Sequence, residues 1–419
     1  ENDNKELDKS DFLIRGLVEL LDILDDIDLK GKKDLVRADF NVPLVNGRVG
    51  ASEDFRIVRT APTIEYLIKK GAKVIIMAHL GRPAHIASQN IAGKLDFIVN
   101  PKLSLKPVAK RLSQVIKKPV KLSPEVIGKE TDKLVANLKN GEVLLLENIR
   151  FDAREEKADK VFTKQLSKLG DIFVNDGFAV SHRDQASVST IQQFLPSYAG
   201  LLLTQEIDYL SRALKNPKKP LVVIIGGAKI STKMKVIKNF TKVAKHILLG
   251  GALANTVLHV MGVSVGKSMV EPEMFKEVKK FKLTDNQIVV PVDGVMGKSY
   301  QSKIGHMDAL ADIKSNELVL DIGPETVKLY SKILTSAKMV MWNGPMGLIE
   351  NPQFAKGTKG LIKFLANSQA ETIVGGGETV QMIRRMKLQD KFSFISTGGG
   401  AMLEFLEGKK MPGLRKIIK

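Results

Sequence analysis

The chain has 419 residues, 43% of them hydrophobic, which is enough to bury a large core and to form two domains. It has no cysteine, so a disulfide framework, a thiolate zinc site and a cysteine nucleophile are excluded. The formal net charge of +19 predicts anionic partners, while an aromatic content of only 5% argues against single-stranded nucleic acid, whose bases stack on aromatic rings.

Residues 1–27 form an acidic extension. Its apolar residues recur at near-helical spacing, which predicts an amphipathic helix docked on the chain itself or on a partner, with docking on its own chain the simpler interpretation. These residues are Phe12, Leu13, Leu17, Leu20, Leu21 and Leu24. The segment lacks the basic start and cleavage site of a signal peptide and the arginine-rich character of a transit peptide. We therefore expect a cytoplasmic protein.

From Lys33 onward, short apolar runs alternate with helical patterns. The runs are "KDLVRADF", "AKVIIMAHL", "GEVLLLENIRF", "GDIFVNDGF", "PLVVIIGGA", "HILLGGA", "NQIVVPVD", "AKMVMWNGP", "ETIVGGG" and "KFSFISTGGG". Strands that are apolar on both faces and separated by helices are typical of parallel sheets in α/β domains. Because ligands of such sheets bind beyond the carboxyl ends of the strands, the residues after each run are the candidates for function.

Strand ends in the first half carry arginines, namely Arg37, Arg56, Arg82, Arg150 and Arg183. Any one of them could form a surface salt bridge, but several at successive strand ends favour an anion pocket, because guanidinium groups bind phosphate or carboxylate bidentately. His79, in "AHLGRP", could be a core histidine or a metal ligand. Further ligands at suitable spacing are absent from the sequence, which favours a hydrogen bond to substrate.

Strand ends in the second half carry glycines instead. "IIGGAKISTK" ends a strand in two glycines and predicts a helix that carries Lys229 and Lys233 on a common face. The spacing matches neither the Walker A motif nor the dinucleotide fingerprint. Two solvated lysines are the alternative to phosphate binding, which the adjacent glycines favour.

The stretch Ile247–Gly266 has about the length of a bilayer span. Its four glycines, Asn255 and His259 instead favour a strand, a glycine turn and a core helix, so we expect no membrane partner. Further on, "MWNGPMGLIE" predicts either a rigid turn beside a packed indole or an adenine slot with Glu350 on the ribose hydroxyls.

Near the end, "ETIVGGGETVQMI" takes a strand into three glycines at the start of a helix. Free backbone amides and the positive end of a helix dipole suit a phosphate group. A tight strand-to-helix turn also requires glycine, so this motif alone leaves both interpretations open.

Taken in order, nine motifs resemble those of phosphoglycerate kinases, from about Asp28 to the C-terminus. They are "RADFNVP", "AHLGRP", "LLENIRF", "HRDQAS", "GGAKISTK", "DIGPET", "WNGPMG", "GGGET" and "STGGGAMLEFLEGKKMPG". The resemblance implies an α/β fold of two doubly wound, Rossmann-like parallel-sheet domains joined by a hinge. Residues 28–199 would bind 3-phosphoglycerate or 1,3-bisphosphoglycerate, residues 200–402 would bind Mg-ADP or Mg-ATP, and residues 403–419 would pack back on the first domain.

The same resemblance assigns roles to individual residues. Substrate binding falls to Asp39, Phe40, Asn41, Arg56, His79, Leu80, Gly81, Arg82, Arg150 and Arg183. Nucleotide binding falls to Gly226, Gly227, Lys229, Lys233, Gly251, Asn343, Pro345, Glu350, Gly376, Gly377, Glu378 and Thr379. The catalytic set is Arg56, Lys229, Lys233, Gly376 and Gly377, and Glu378 is the expected Mg²⁺ ligand. Hinge closure would bring the two ligands together and exclude water.

The chain departs from the family pattern in a few places. Glu378 stands where aspartate is usual, and Asp184 places beside Arg183 a carboxylate that would weaken its hold on substrate. A catalytically weakened nucleotide-binding protein with an anionic macromolecular partner is one alternative, against which the retained arginines argue. A kinase of another small carboxylic acid is a second. The resemblance implies a glycolytic kinase that transfers a phosphoryl group reversibly between 1,3-bisphosphoglycerate and Mg-ADP, giving 3-phosphoglycerate and Mg-ATP. We expect it to be a monomer that binds no nucleic acid.

Overall fold

The computed structural model describes Leu24 and residues 27–83, 87–89, 95–97, 100–283 and 285–418. The helix predicted for the extension lies outside these residues, except for Leu24, whose side chain is buried. The chain forms two compact units: unit 1 contains the described residues up to Asp208 and from Lys409 onward, and unit 2 is Tyr209–Gly408.

Unit 1 is built on a parallel sheet. Its strands are β1 (Lys33–Arg37), β2 (Lys73–Met77), β3 (Ala87–Gln89), β4 (Leu95–Phe97), β5 (Val120–Leu122), β6 (Val143–Leu145), β7 (Ile172–Asn175) and β8 (Ser197–Ala199). Its helices are α1 (Phe55–Lys69), α2 (Lys106–Ile116), α3 (Lys129–Ala136), α4 (Lys160–Ser167) and α5 (Leu201–Lys215), the last of which continues into unit 2. Six strands pair in the order β5-β6-β2-β1-β7-β8, and β3 pairs with β4 alone.

Both faces of this sheet are buried. Leu35 packs in one hydrophobic cluster with Phe162 of α4, whereas its neighbour Val36 packs in another with Ile64 of α1. Successive side chains of a strand point to opposite faces, so a strand covered by helices on both sides must be apolar throughout. This explains the continuous apolar runs in the sequence.

Unit 2 contains a second six-stranded parallel sheet, in the order β11-β10-β9-β15-β16-β17. The strands of the unit are β9 (Leu221–Ile225), β10 (His246–Leu249), β11 (Ile288–Val289), β12 (Asp293–Gly297), β13 (His306–Ala309), β14 (Leu318–Ile322), β15 (Met339–Asn343), β16 (Glu371–Gly375) and β17 (Phe394–Ile395). Its helices are α6 (Met234–Phe240), α7 (Ala252–Val260), α8 (Phe275–Val278), α9 (Pro324–Leu334), α10 (Lys356–Leu365), α11 (Gly377–Arg385) and α12 (Gly400–Leu406). The predicted α/β fold with two parallel sheets is confirmed.

The stretch Ile247–Gly266, which has about the length of a bilayer span, forms most of β10, a glycine turn and α7. Among the described helices none is long and apolar enough to cross a bilayer.

The sequence analysis missed a three-stranded antiparallel sheet in unit 2, in the order β13-β12-β14. Every residue of β13 is exposed, so the strand lacks the apolar pattern by which the others were predicted. This sheet supplies one wall of the cavity described below.

Each parallel sheet has one point where the strand order reverses. In unit 1 the chain leaves β1 toward β2 but leaves the adjacent β7 toward β8, and in unit 2 the adjacent pair is β9 and β15. Ligands of open α/β sheets bind in the crevice at the carboxyl ends of such a pair. The residues after these four strands therefore lie where a site is expected.

The segment from Lys409 onward packs in unit 1. The side-chain amide of Asn175, at the end of β7, donates to the carbonyl oxygen of Gly413 at 2.9 Å, and the Gly413 amide donates to the Ser181 carbonyl at 2.8 Å. Leu414 and Ile417 are buried. Unit 1 is thus completed by residues that follow unit 2 in the chain.

Candidate active site

Three turns of unit 1 meet at the end of β1. Nη1 of Arg56, in the first turn of α1, lies 2.7 Å from Oδ2 of Asp39 and donates to the Asn41 carbonyl at 3.1 Å. The Asn41 side-chain oxygen accepts from the Gly81 amide at 2.9 Å. The motifs "RADFNVP" and "AHLGRP" are therefore joined by hydrogen bonds, with Arg56 held against both Asp39 and Asn41.

His79 is a neutral hydrogen-bond donor in this cluster. Burial, followed by the positive charges of nearby arginines, lowers its pKa well below 6.5. Nη2 of Arg37 lies 3.3 Å from its Nδ1. Because a guanidinium group only donates, Nδ1 accepts and Nε2 carries the ring proton. The 3.9 Å separation from Oδ1 of Asp39 is therefore not an ion pair.

A buried chain of hydrogen bonds fixes Arg37. Its Nε donates to the Ser187 hydroxyl at 2.9 Å, and that hydroxyl donates to Oε1 of Glu155 at 2.6 Å. Burial raises the pKa of Glu155, while attraction to Arg37 and the Ser187 hydrogen bonds oppose the rise. The sequence analysis named Arg37 as a candidate but missed Ser187 and Glu155, although Ser187 closes the "HRDQAS" motif.

Arg150 is almost completely buried, and its Nη1 donates to the Gly81 carbonyl at 2.9 Å. Its Nε is 3.4 Å from a carboxylate oxygen of Glu156, and its Nη2 has no hydrogen-bond partner among the described residues. Burial lowers its pKa to about 10, so it remains charged at neutral pH. A buried donor without an acceptor is costly, and an anionic ligand would supply the acceptor.

The remaining predicted substrate residues differ in exposure. Phe40 and Leu80 are buried in the core of unit 1, so their side chains serve packing. Arg82 is exposed and Arg183 half-buried. The expectation that Asp184 weakens Arg183 is not supported, because the Asp184 carboxylate accepts from the Ser189 hydroxyl and forms no ion pair with Arg183.

In unit 2, the turns after β9, β10 and β15 interlock through their backbones. The Gly226 amide donates to the Asn343 carbonyl at 3.0 Å, and the Gly227 amide to the Pro345 carbonyl at 2.9 Å. The Gly251 amide donates to the Met346 carbonyl at 2.8 Å. A Cβ on Gly226 would lie 2.0 Å from the Pro345 oxygen, so this close approach requires glycine.

The predicted common helical face for Lys229 and Lys233 is wrong. Helix α6 begins only at Met234, and the two lysines lie in the turn before it. The positive φ of Gly227 (+111°) and two hydrogen bonds from Ser231 to Glu271 hold this turn out of helical geometry. Lys229 is exposed, whereas Lys233 is folded back and buried.

The Lys233 ammonium group donates to the Gly226 carbonyl at 2.6 Å and to the Asn343 side-chain oxygen at 2.8 Å. Burial lowers its pKa to about 8, against the opposing effect of the Glu378 carboxylate. Lys233 therefore places a positive charge beneath the interlocked glycine turns at neutral pH.

An open cavity of about 180 Å³ lies beside these turns. One side consists of Gly227, Gly251 and Pro345. The apolar wall was not predicted from the sequence, and it consists of Leu318 and Leu320 of β14 together with Met269 and Leu348. Glu350 and Glu378 also line the cavity.

Trp342 does not line this cavity. Its indole is fully buried and donates from Nε1 to the Gly344 carbonyl at 2.7 Å. For the "MWNGPMGLIE" motif this supports the rigid-turn interpretation at the tryptophan, while Pro345 and Glu350 reach the cavity itself.

Helix α11 begins at Gly377, after Gly376 with φ +96°. The Glu378 carboxylate is exposed and has no hydrogen bond or ion pair within the described chain, so it does not cap the helix through its side chain. No group of three or more potential metal ligands occurs among the residues that the structure describes. A single carboxylate beside a phosphate site nevertheless fits Mg²⁺, which is usually held by one or two carboxylates, substrate phosphates and water.

Two parallel-sheet units, one with converging arginines and one with a glycine-lined cavity, define a two-domain α/β phosphotransferase. A family model described as phosphoglycerate kinase matches residues 24–409, and the chain belongs to the phosphoglycerate kinase family. The prediction of a glycolytic kinase, which transfers a phosphoryl group reversibly between 1,3-bisphosphoglycerate and ADP, is confirmed.

Relatives cover almost the whole chain. A phosphoglycerate kinase of Coprothermobacter proteolyticus is 42% identical over 94% of this chain and 98% of its own. One of Dictyoglomus turgidum is 43% identical over 94% and 97%. The solved phosphoglycerate kinase structure from Coxiella burnetii has a TM-score of 0.80 at 35% identity and covers 95% of this chain and 98% of its own. None of these comparisons favours the weakened nucleotide-binding alternative.

Proposed function

We propose that unit 1 binds the phosphoglycerate and unit 2 the Mg-nucleotide, with the roles set out below. The observation that carries this division is the contrast between the two crevices. Unit 1 has buried or half-buried guanidinium groups around a neutral histidine, and unit 2 has an apolar cavity bordered by glycine amides and two carboxylates.

In unit 1, an oxygen of the anionic substrate accepts a hydrogen bond from Nη2 of Arg150, which has no acceptor among the described residues. Arg82 and Arg183 add charge, and the Nε2 proton of His79 donates a hydrogen bond to a substrate oxygen. Asp39 orients Arg56 through the 2.7 Å contact, and Asn41 and Gly81 form the adjoining turn.

In unit 2, the adenine base packs against Leu318, Leu320 and Leu348, and Glu350 accepts hydrogen bonds from the ribose hydroxyls. The diphosphate extends toward the lysines and the start of α11, where the backbone amides and the helix dipole favour negative charge. The residues of this phosphate site are Gly226, Gly227, Lys229, Lys233, Gly251, Asn343, Pro345, Gly376, Gly377, Glu378 and Thr379.

The reaction requires no general base. The bond from phosphorus to the acyl oxygen of 1,3-bisphosphoglycerate breaks and a bond to a terminal ADP oxygen forms, and both oxygens are ionised when free. Catalysis therefore consists of positioning and charge neutralisation, for which we assign Arg56, Lys229, Lys233 and the amides of Gly376 and Gly377. When bound through Glu378, Mg²⁺ neutralises charge on the nucleotide phosphate oxygens.

The test is a coupled assay of ATP formation from fresh 1,3-bisphosphoglycerate and Mg-ADP, together with the reverse reaction. We expect turnover in both directions. Tight Mg-ADP binding without turnover would support the weakened nucleotide-binding protein instead. The proposal also includes a cytoplasmic monomer, which size-exclusion chromatography and cell fractionation test.

A further inference from the structure

The turn at residues 228–233, here called the lysine turn, holds Lys229 and Lys233 between β9 and α6. Internal hydrogen bonds are few: the Lys233 amide donates to the Ile230 carbonyl at 2.9 Å, and the Thr232 hydroxyl to the Lys229 carbonyl at 2.8 Å. The exposed Lys229 side chain has no ion pair in the described part of the chain. Its position therefore depends on how the backbone of the turn is held.

Glu271 provides an attachment from outside the turn. Its Oε2 accepts from the Ser231 amide at 3.1 Å and its Oε1 from the Ser231 hydroxyl at 2.5 Å. Ser231 lies midway between the two lysines, so both carboxylate oxygens bind the centre of the lysine turn.

Glu271 is itself held firmly. Only 8% of the residue is exposed, and its amide donates at 3.1 Å to the hydroxyl of Thr256, a buried residue of α7. Across the described residues Glu271 makes no ion pair with lysine or arginine. A buried carboxylate without a cationic partner is stabilised by the hydrogen bonds that it accepts, and among the described residues its donors are the amide and the hydroxyl of Ser231.

We propose that Glu271 is a positioning residue for phosphoryl transfer, which fixes the lysine turn through its two hydrogen bonds to Ser231. This inference rests on the proposed phosphate-binding role of Lys229 and Lys233. Charge stabilisation of a transferring phosphoryl group depends on donors that are already in place, and an error of about 1 Å can cost about 100-fold in rate.

The test compares ADP with adenosine as ligands of the full-length protein. Glu271→Met removes both acceptors at similar volume, and we expect kcat and ADP affinity each to fall about tenfold or more, because the lysines lose their positions. Adenosine affinity should stay close to the parent value, because Leu318, Leu320, Leu348 and Glu350 lie outside the lysine turn. The KM for 3-phosphoglycerate should also remain unchanged.

Two further variants keep the test valid if Glu271→Met folds poorly. Glu271→Gln can still accept from the Ser231 amide and should recover most of kcat. Ser231→Ala removes an exposed hydroxyl without altering the carboxylate, and should give a smaller loss in the same selective pattern. Since both changes act on one contact, the double variant Glu271→Met with Ser231→Ala should be no worse than Glu271→Met alone.

Glu273→Met is the matched control, because Glu273 is exposed, lies two residues away and should show parent kinetics. Equal losses of ADP and adenosine affinity, or a lower melting temperature with unchanged kinetics, would show that Glu271 is merely structural. If Lys229→Met loses activity while Glu271→Met does not, the positioning role alone is overturned. If Lys229→Met and Lys233→Met both keep the parent kcat, the proposed role of the lysines fails, and the positioning role fails with it.

Discussion

Glu378 stands where the family resemblance leads us to expect aspartate. Its carboxylate is exposed at the start of α11 and borders the cavity of unit 2, to which we assign the nucleotide. Glu378→Ala should greatly raise the Mg²⁺ concentration needed for activity, whereas Glu378→Asp should stay within a small factor of the parent, because Mg²⁺ accepts a carboxylate directly or through water. The measurement is the Mg²⁺ dependence of kcat.

Melting temperature provides the control for this prediction. A carboxylate in the first turn of a helix contributes up to about 1 kcal/mol through the helix dipole alone. If Glu378→Ala melts at a lower temperature but titrates with Mg²⁺ like the parent, the carboxylate stabilises α11 and does not bind the metal.

Arg56 and Arg150 should respond differently to truncation. Arg56 is partly exposed and held by Asp39, and we assign it to charge that develops in the transition state, so Arg56→Ala should lower kcat more than it raises KM. Arg150 is buried, and its Nη2 has no acceptor in the described part of the chain and can bind the ground-state ligand, so Arg150→Ala should mainly raise the KM for phosphoglycerate. Steady-state kinetics of Arg56→Ala and Arg150→Ala in both reaction directions distinguish these effects. If both variants change KM alone, Arg56 has no catalytic role.

At the scale of elements, β1 contains a buried acid remote from the reaction. Both carboxylate oxygens of Asp34 lack hydrogen-bond partners within the described ranges, and burial, together with repulsion from Asp171, raises its pKa from 3.8 to about 7. Because the folded-state pKa exceeds the unfolded value, the protonated acid stabilises the fold fully below the unfolded pKa. This contribution is lost as the pH rises through about 7.

Asp34→Asn should therefore flatten the pH dependence of stability. Between about pH 5 and 7, the unfolding free energy of the parent should fall relative to the variant by about 1.4 kcal/mol per pH unit. Urea unfolding at several pH values measures this difference. Asp308→Asn, which changes an exposed acid of β13, is the control and should follow the parent. Parallel curves for the parent and Asp34→Asn would mean that Asp34 is ionised in the folded protein.

The sequence predicted most strands of the two parallel sheets and missed the short strands, the exposed strand and the antiparallel sheet. Runs such as "LVVII" became β9 because a strand covered by helices needs apolar residues throughout. The exposed β13 and the three-residue strands β5 and β8 carry no such pattern. The buried strands β12 and β14 were missed as well, although "LVLDI" of β14 is mostly apolar, so the antiparallel sheet and its part of the cavity wall were not predicted.

The candidate site shows the same limit for single side chains. The sequence motifs identified Arg150, Lys233 and Glu378 as candidates. Local spacing could not show that Lys233 folds back onto Gly226 instead of sharing a helix face with Lys229. Nor could it pair Glu271 with Ser231, which is 40 residues away in the chain. Contacts of this kind depend on the tertiary fold and leave no periodic trace in the sequence.

At the scale of the whole molecule, Leu24 marks where the extension meets the core. It is 1% exposed and packs in the same cluster as Leu29 and Ile64. Removal of residues 1–23 should leave both KM values and kcat unchanged, which steady-state kinetics measure. Leu24→Ala should instead lower the unfolding free energy by about 2–5 kcal/mol, which denaturant unfolding measures. A large loss of kcat in the folded truncated protein would show that the extension takes part in turnover.

The return of residues 409–418 to unit 1 has a consequence for biosynthesis. Unit 2 is one continuous stretch, so it can fold as soon as it has left the ribosome. Unit 1 must wait: until Gly413 is synthesised, the amide of Asn175 has no Gly413 carbonyl to bond, and the surface that Leu414 and Ile417 will cover remains open to water. Most of unit 1 is therefore translated before unit 2, but its packing is completed by residues that are translated after unit 2.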